Sequence, residues 1–147
     1  MTTQNKETKM KYETMDMTIS HPQGTEPITV LSLQGNLDRF SYLDLVNKSK
    51  EIYDGGHRSL VIDMSQVNTI GISGLYALYS TAMVFRGEEP LAAEGGWSAI
   101  RWMGNHLDGV CPGIKLAQLQ PQIAKALSQT GLPICDDLPA ALASFSN

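Results

Sequence analysis

The chain has 147 residues, an apolar share of 42% and a formal net charge of −4, which fits one domain that buries roughly two thirds of its unfolded surface without a metal or disulfide to staple it. The acidic balance argues against nucleic acid as a partner, because phosphate contacts need clustered Lys and Arg. The one small basic cluster, Lys6, Lys9 and Lys11, sits in a polar opening segment.

Residues 1–11 are polar and poor in β-branched side chains, and are expected to be a disordered tail ahead of one domain spanning 12–147. Met15, Met17 and Ile19 then alternate with Thr14, Asp16 and Thr18, a period of two that predicts a half-buried strand. His21-Pro22-Gln23-Gly24 is turn chemistry, and the β-branched run Ile28-Thr-Val-Leu-Ser-Leu33 predicts a second strand paired antiparallel to the first. Gly35-Asn36-Leu37-Asp38 ends it. Ser41 is placed to cap a helix carrying Leu43, Val46 and Ile52, which Gly55-Gly56 stops.

Leu60-Val-Ile-Asp-Met64 is nearly continuous in apolar residues and suits a central strand covered on both faces. A loop over 65–70 leads to Gly71-Ile72-Ser73-Gly74 and a helix with Leu75, Leu78, Tyr79, Ala82 and Phe85 on one stripe. Glu88 to Pro112 is less regular. Within it, apolar residues at 97, 100, 103 and 107 predict a short amphipathic helix. Ile114–Leu119 reads as a strand, Pro121 opens a helix ending at Gly131, Ile134-Cys135 adds a short strand, and Asp137 caps a last helix. Strands alternating with helices imply a sheet that is largely parallel after its first hairpin.

No apolar run approaches the roughly 18 residues of a membrane span, and the opening Met1-Thr-Thr-Gln-Asn-Lys-Glu7 lacks the apolar core of an export signal. Cys111 and Cys135 share no metal-ligand spacing, so free thiols in a cytoplasmic protein are expected. His21, His57 and His106 read as surface histidines, none with a partner at ligand spacing, and no metal or other cofactor is expected. Gly71-Ile-Ser-Gly74 matches neither of the phosphate-cradling glycine motifs, and Ser73 lies outside G-x-S-x-G with no histidine placed as its base. Asp16, Asp38, Asp63, Asp136 and Asp137 form no recognisable catalytic pair. The chain is therefore expected not to be an enzyme, and it has no nameable catalytic residue.

Three segments in the correct order resemble the STAS family, which includes bacterial anti-sigma-factor antagonists and the cytosolic domains of sulfate transporters. Gly35-Asn-Leu-Asp38 is similar to the family's G-x-L-D. The stretch from Val61 to Leu75 is similar to its signature of a hydrophobic strand, D-[LM]-S, a loop and D-S-[ST]-G-[LV]. Leu119 to Leu132 is similar to a late S-P-x-[VI] pattern with a helix ending in T-G-L. The resemblance implies an α/β fold with a four- or five-stranded mixed sheet and helices mainly on one side, here with a helical insert over 88–112.

The resemblance also implies a protein–protein interaction module in bacterial regulation of transcription. Its partner would be an anti-sigma factor, serine kinase or related signalling protein, docked at Asn36, Leu37, Asp38, Gly71, Ile72, Ser73, Gly74 and Leu75. In switching members the first serine of D-S-[ST]-G is phosphorylated, and a phosphate carrying about −1.5 to −2 charges disrupts an otherwise apolar docking surface. Here Gly71 stands in place of the Asp and Ile72 in place of that Ser, so the standard switch is expected to be absent. Ser73 is then either an alternative phosphate acceptor or a helix N-cap; the cap is the expectation. Trp97, Trp102 and Met103 in the insert either pack back on the domain or form a second interface. Two other functions stay open: a non-phosphorylated STAS subunit of a lipid or anion transport assembly, and a small-ligand or nucleotide sensor. No nucleic acid partner and no direct membrane insertion are expected, and a homodimer is left open.

Overall fold

The computed structural model describes residues 7–22 and 27–145. Six strands form one sheet in sequence order: β1 (Thr8–Lys11), β2 (Met15–Ser20), β3 (Ile28–Leu37), β4 (Ser59–Ile70), β5 (Ile114–Ala117) and β6 (Ile134–Cys135). The first three pair antiparallel and the last four parallel. The helices α1 (Tyr42–Asp54), α2 (Ile72–Val84), α3 (Gly96–Leu107) and α4 (Pro121–Leu127) lie in the connections between the parallel strands, and α5 (Leu138–Ala143) closes the chain. This is the expected mixed sheet, with six strands instead of four or five.

The strand pattern dictates which face carries which helices. Met15 and Met17 of β2, Leu31 and Leu33 of β3, and Leu60, Ile62 and Met64 of β4 share the main core with α1 to α4. Alternate positions, Ile28, Val30, Val61 and Ala117, face the other way into a smaller cluster with Ala141 of α5. A helix on each side of β4 explains its unbroken apolar run. Each fully buried Leu, Ile or Met contributes roughly 1.5–3 kcal/mol, and the larger cluster decides where the mass of the domain lies. Helix α2 is buried along most of its length from Gly74 onward, because it packs against the sheet and, on its flanks, against α1 and α3. In α5, the Asp137 carboxylate caps the helix as expected, accepting the Ala140 N–H at 2.8 Å.

Three boundaries differ from those expected. Residues 8–11 are a strand, not a continuation of the tail: the whole of β1 pairs with 16–19, Met10 packs on the core and Lys9 pairs with Asp16 at 3.8 Å. The rest of the expected tail, residues 1–6, and part of the expected turn at 21–24 lie outside the described residues. Strand β4 runs on through 65–70, expected to be a loop, because β3 continues beside it to Leu37 and supplies its ladder. Strand β5 stops at Ala117, where Gln118 takes a positive φ of 63°.

Candidate functional site

The end of β3 and the start of α2 meet because β3 and β4 are parallel and adjacent. Asn36 lies opposite Thr69 and Leu37 opposite Ile70, so the turn from β4 into α2 emerges beside residues 36–38. Two contacts lock the junction. The Gly71 N–H donates to the Leu37 carbonyl at 3.2 Å, and the Thr69 hydroxyl donates to Asn36 Oδ1 at 3.0 Å. Gly74 completes it, since a Cβ there would stand 2.7 Å from the Leu37 oxygen and 2.6 Å from Ile70 Cγ1. Only a glycine allows so close an approach.

Asp38 organises the chain on the other side. Its Oδ1 accepts from the Thr14 hydroxyl and the Phe40 N–H, both at 2.9 Å. Ser41 Oγ accepts from the Asp38 N–H at 3.0 Å and donates to the Asn36 carbonyl at 2.7 Å. Ser41 occupies the N-cap position of α1 as expected, but its hydroxyl ties the preceding turn and not the helix N–H groups. Partial burial pushes the Asp38 carboxyl up, and the hydrogen bonds from Phe40, Thr14 and Ser41 together outweigh it, leaving its pKa below the ordinary carboxylate value.

All eight residues of the expected docking surface are therefore brought to one place, at three degrees of burial. Leu37 and Gly74 are buried and hold the junction together. Gly71 and Ile72 are exposed, with Ile72 at 52% of its accessible surface. Asn36, Asp38, Ser73 and Leu75 are half-buried. Ile72 sits on a ridge between two grooves. One, of roughly 70 Å³, runs past Tyr42, Ser73, Tyr76 and Ile100; the other, of roughly 260 Å³, runs past Ile70, Leu75, Ala126 and Leu127. Ser73 is not the N-cap of α2. That position is Gly71, in extended backbone, with Ile72 first and Ser73 second in the helix. The reason is the length of β4, which carries the chain to Ile70 and leaves one residue for the turn.

The insert divides. Met103 is fully buried and joins Ile100 and Leu107 in the core. Trp97 and Trp102 are 54% and 48% exposed, and the Trp102 ring stacks on His106 with centroids 4.6 Å apart. Trp97 borders a third groove of roughly 310 Å³, shared with Leu75 and Ile100. The sequence reading missed Phe40 and placed Leu43 with Val46 and Ile52 on the apolar stripe of α1; both are large apolar side chains about half exposed at the start of the helix, and Leu45 takes the inward place instead. Their only signal was their position immediately after Gly35-Asn-Leu-Asp38. It also missed that His21 and His57 meet as a stacked pair, which no spacing in the chain announces.

Among the described residues no three His, Cys, Asp or Glu side chains gather as a metal site would need, and no helix is long and apolar enough to cross a membrane. Both cysteines are free; burial pushes the Cys111 thiol up, which weakens it as a nucleophile.

Residues 21–87 match the family model of the STAS domain, the stretch that runs from the end of β2 through α2 and contains the whole junction. No curated protein sequence is a significant match. Among solved structures, an anti-sigma factor antagonist from Mycobacterium paratuberculosis superposes with a TM-score of 0.64 at 19% identity, over 90% of this chain and 95% of that one. The unphosphorylated anti-sigma factor antagonist SpoIIAA superposes with a TM-score of 0.46 at 13% identity, over 91% of each chain. The fold is thus that of a STAS domain.

Proposed function

We propose that this chain is a protein-docking module of the anti-sigma-factor-antagonist kind, a cytoplasmic binding protein and not an enzyme, and that it works without the standard serine phosphorylation switch. One observation carries the reading. Ile72 projects from the first position of α2, half exposed, at the place where the family resemblance has the phosphorylated serine. An isoleucine accepts no phosphate. Burying it against a partner gains up to roughly 1.5–3 kcal/mol, at the centre of a surface whose backbone is fixed by the Gly71–Leu37 and Thr69–Asn36 hydrogen bonds. Such a surface favours docking at all times and leaves control to something other than a charge at position 72. Ser73, one residue on, keeps a half-exposed hydroxyl at the positive end of the helix and is the remaining candidate acceptor.

The partner this reading calls for is an anti-sigma factor or a related serine kinase. A photo-crosslinking residue at position 72 of the full chain, used in the native host with mass spectrometry, tests it. Cross-links to such a protein support the assignment. A transport ATPase caught there instead would favour the second reading, a non-phosphorylated STAS subunit of a lipid or anion transport assembly, which the missing acceptor at position 72 equally suits. Cross-links to no specific protein would overturn the docking surface.

A further inference from the structure

Two of the grooves beside the docking surface join into one trough. The groove of roughly 260 Å³ past Ile72 and Ala126 and the groove of roughly 310 Å³ past Trp97 share Leu75 as their floor. Helix α3 forms one wall, and the end of α4 with the turn at 129–130 forms the other. Along α2 the trough runs from Ile72 to Tyr79, about 10 Å at 1.5 Å per residue, or about two helical turns. Ile72 and Trp97 border it, each about half exposed. Large apolar side chains around a half-buried leucine leave water only when something lies over them.

The walls say what shape fits. They are helices, which offer no backbone ladder to an incoming chain. The one strand that reaches the trough is the outer half of β4, which has no β5 partner. There the side chains of Gln120 and Gln122 donate to the Ser65 and Asn68 carbonyls at 3.1 and 3.3 Å, closing that edge to strand addition. An extended peptide would leave its own N–H and C=O groups unpaired. A helix brings them already bonded and meets the trough with apolar side chains at i, i+4 and i+7.

The charges say what kind of helix. Neither groove is lined by Asp or Glu, although the chain as a whole carries −4. Arg101 lines the α3 wall, and Lys125 precedes Ala126 on the other. Both are exposed, and among the described residues neither has an ion-pair partner. Two unneutralised cations beside an apolar floor complement a helix with acidic flanks. They disfavour a second copy of this chain, since a twofold dimer through this face would set like charges against each other.

From this arrangement we infer that the trough binds one amphipathic helix of a partner protein, its apolar stripe on Ile72, Leu75 and Trp97 and its Asp or Glu residues facing Arg101 and Lys125. The inference rests on the docking reading, with which it shares Ile72 and Leu75. It adds that α3, through Trp97 and Arg101, sets which partner is taken.

Photo-crosslinking residues placed singly at 97 and at 72 of the full chain, in the native host and with the captured peptides sequenced, test it. Both positions are expected to capture the same protein, and the peptide joined to 97 to carry apolar residues at i, i+4 and i+7 with Asp or Glu beside them. Against that purified partner, Trp97→Ala and Arg101→Glu should each weaken binding at least tenfold, and the Arg101→Glu loss should shrink as salt rises. Arg58→Glu makes the same charge change ahead of β4, at the strand's other end from Ile70, and should leave affinity unchanged. Capture at 72 with none at 97, capture of this chain itself at 97, a captured segment that is basic or lacks the helical spacing, or an Arg101→Glu protein that binds as the parent would each overturn the inference and leave the docking reading standing. Capture at neither position would overturn both.

Discussion

Gly74 lies so close to Leu37 that a Cβ built on it would stand 2.7 Å from the Leu37 carbonyl oxygen, inside any real contact distance. That oxygen also accepts the Gly71 N–H, so it is fixed from two sides. Gly74→Ala must therefore push α2 off the end of β3. Overpacking of this sort costs typically about 1–3 kcal/mol, and the expected result is a lower thermal midpoint together with loss of partner docking. A variant as stable as the parent would mean that the junction tolerates movement and does not set the surface.

Ile72 predicts the opposite pairing of effects. It is half exposed and first in α2, where a negative charge favours the helix by a few tenths of a kcal/mol. Ile72→Asp should leave stability within about 0.5 kcal/mol of the parent. Partner affinity, measured by calorimetry, should fall at least tenfold, because a carboxylate must be desolvated on docking. Unchanged affinity would remove Ile72 from the interface.

How much of this was legible beforehand follows from particular residues. The hydrophobic runs at 28–33 and 60–64, the glycine stops and the Asp137 cap gave the order of elements, since each rests on local chemistry. The outer half of β4 was not legible. Beyond Asp63 it has no β5 partner, so Gln66, Asn68 and Thr69 remain polar and read as a loop, although β3 pairs with Gln66 and Thr69. That one error displaced the start of α2 and misplaced Ser73 as its cap. The eight junction residues were found through motif resemblance, but burial, a tertiary property, separates Leu37 and Gly74, which build the junction, from Gly71 and Ile72, which show at its surface. The His21–His57 pair joins segments that carry no motif.

The insert gives a contrast within one helix. Met103 is fully buried in the main core, and Trp102, one position before it and about 100° round α3, is half exposed. Met103→Ala is expected to cost about 2–5 kcal/mol. Trp102→Ala loses only its stacking on His106 and should cost well under 1 kcal/mol, in line with other exposed sites. Urea melts of the two variants would separate packing from surface. A large loss at Trp102 would show that its ring supports α3 and is not held out for a partner.

Asp38 makes a prediction about pH. Its folded carboxyl titrates below the ordinary value of about 3.9. The unfolded chain therefore binds more protons in the acid range, and stability rises with pH there. The contribution is present above pH of about 4 and is lost as pH falls through the depressed folded value. Asp38→Asn removes it. In urea titrations from pH 5 down to pH 2, the parent should lose more stability than the variant. Parallel curves would show that the Thr14, Phe40 and Ser41 bonds do not favour the ionised form.

Thr29→Val carries a sign unusual for a core substitution. The hydroxyl is buried without a partner, so replacing it by a methyl of similar shape removes a desolvation cost and leaves the packing intact. In thermal or urea melts the variant should be more stable than the parent, by about 1 kcal/mol. A variant less stable than the parent would mean that the hydroxyl finds a partner in solution and contributes to the fold.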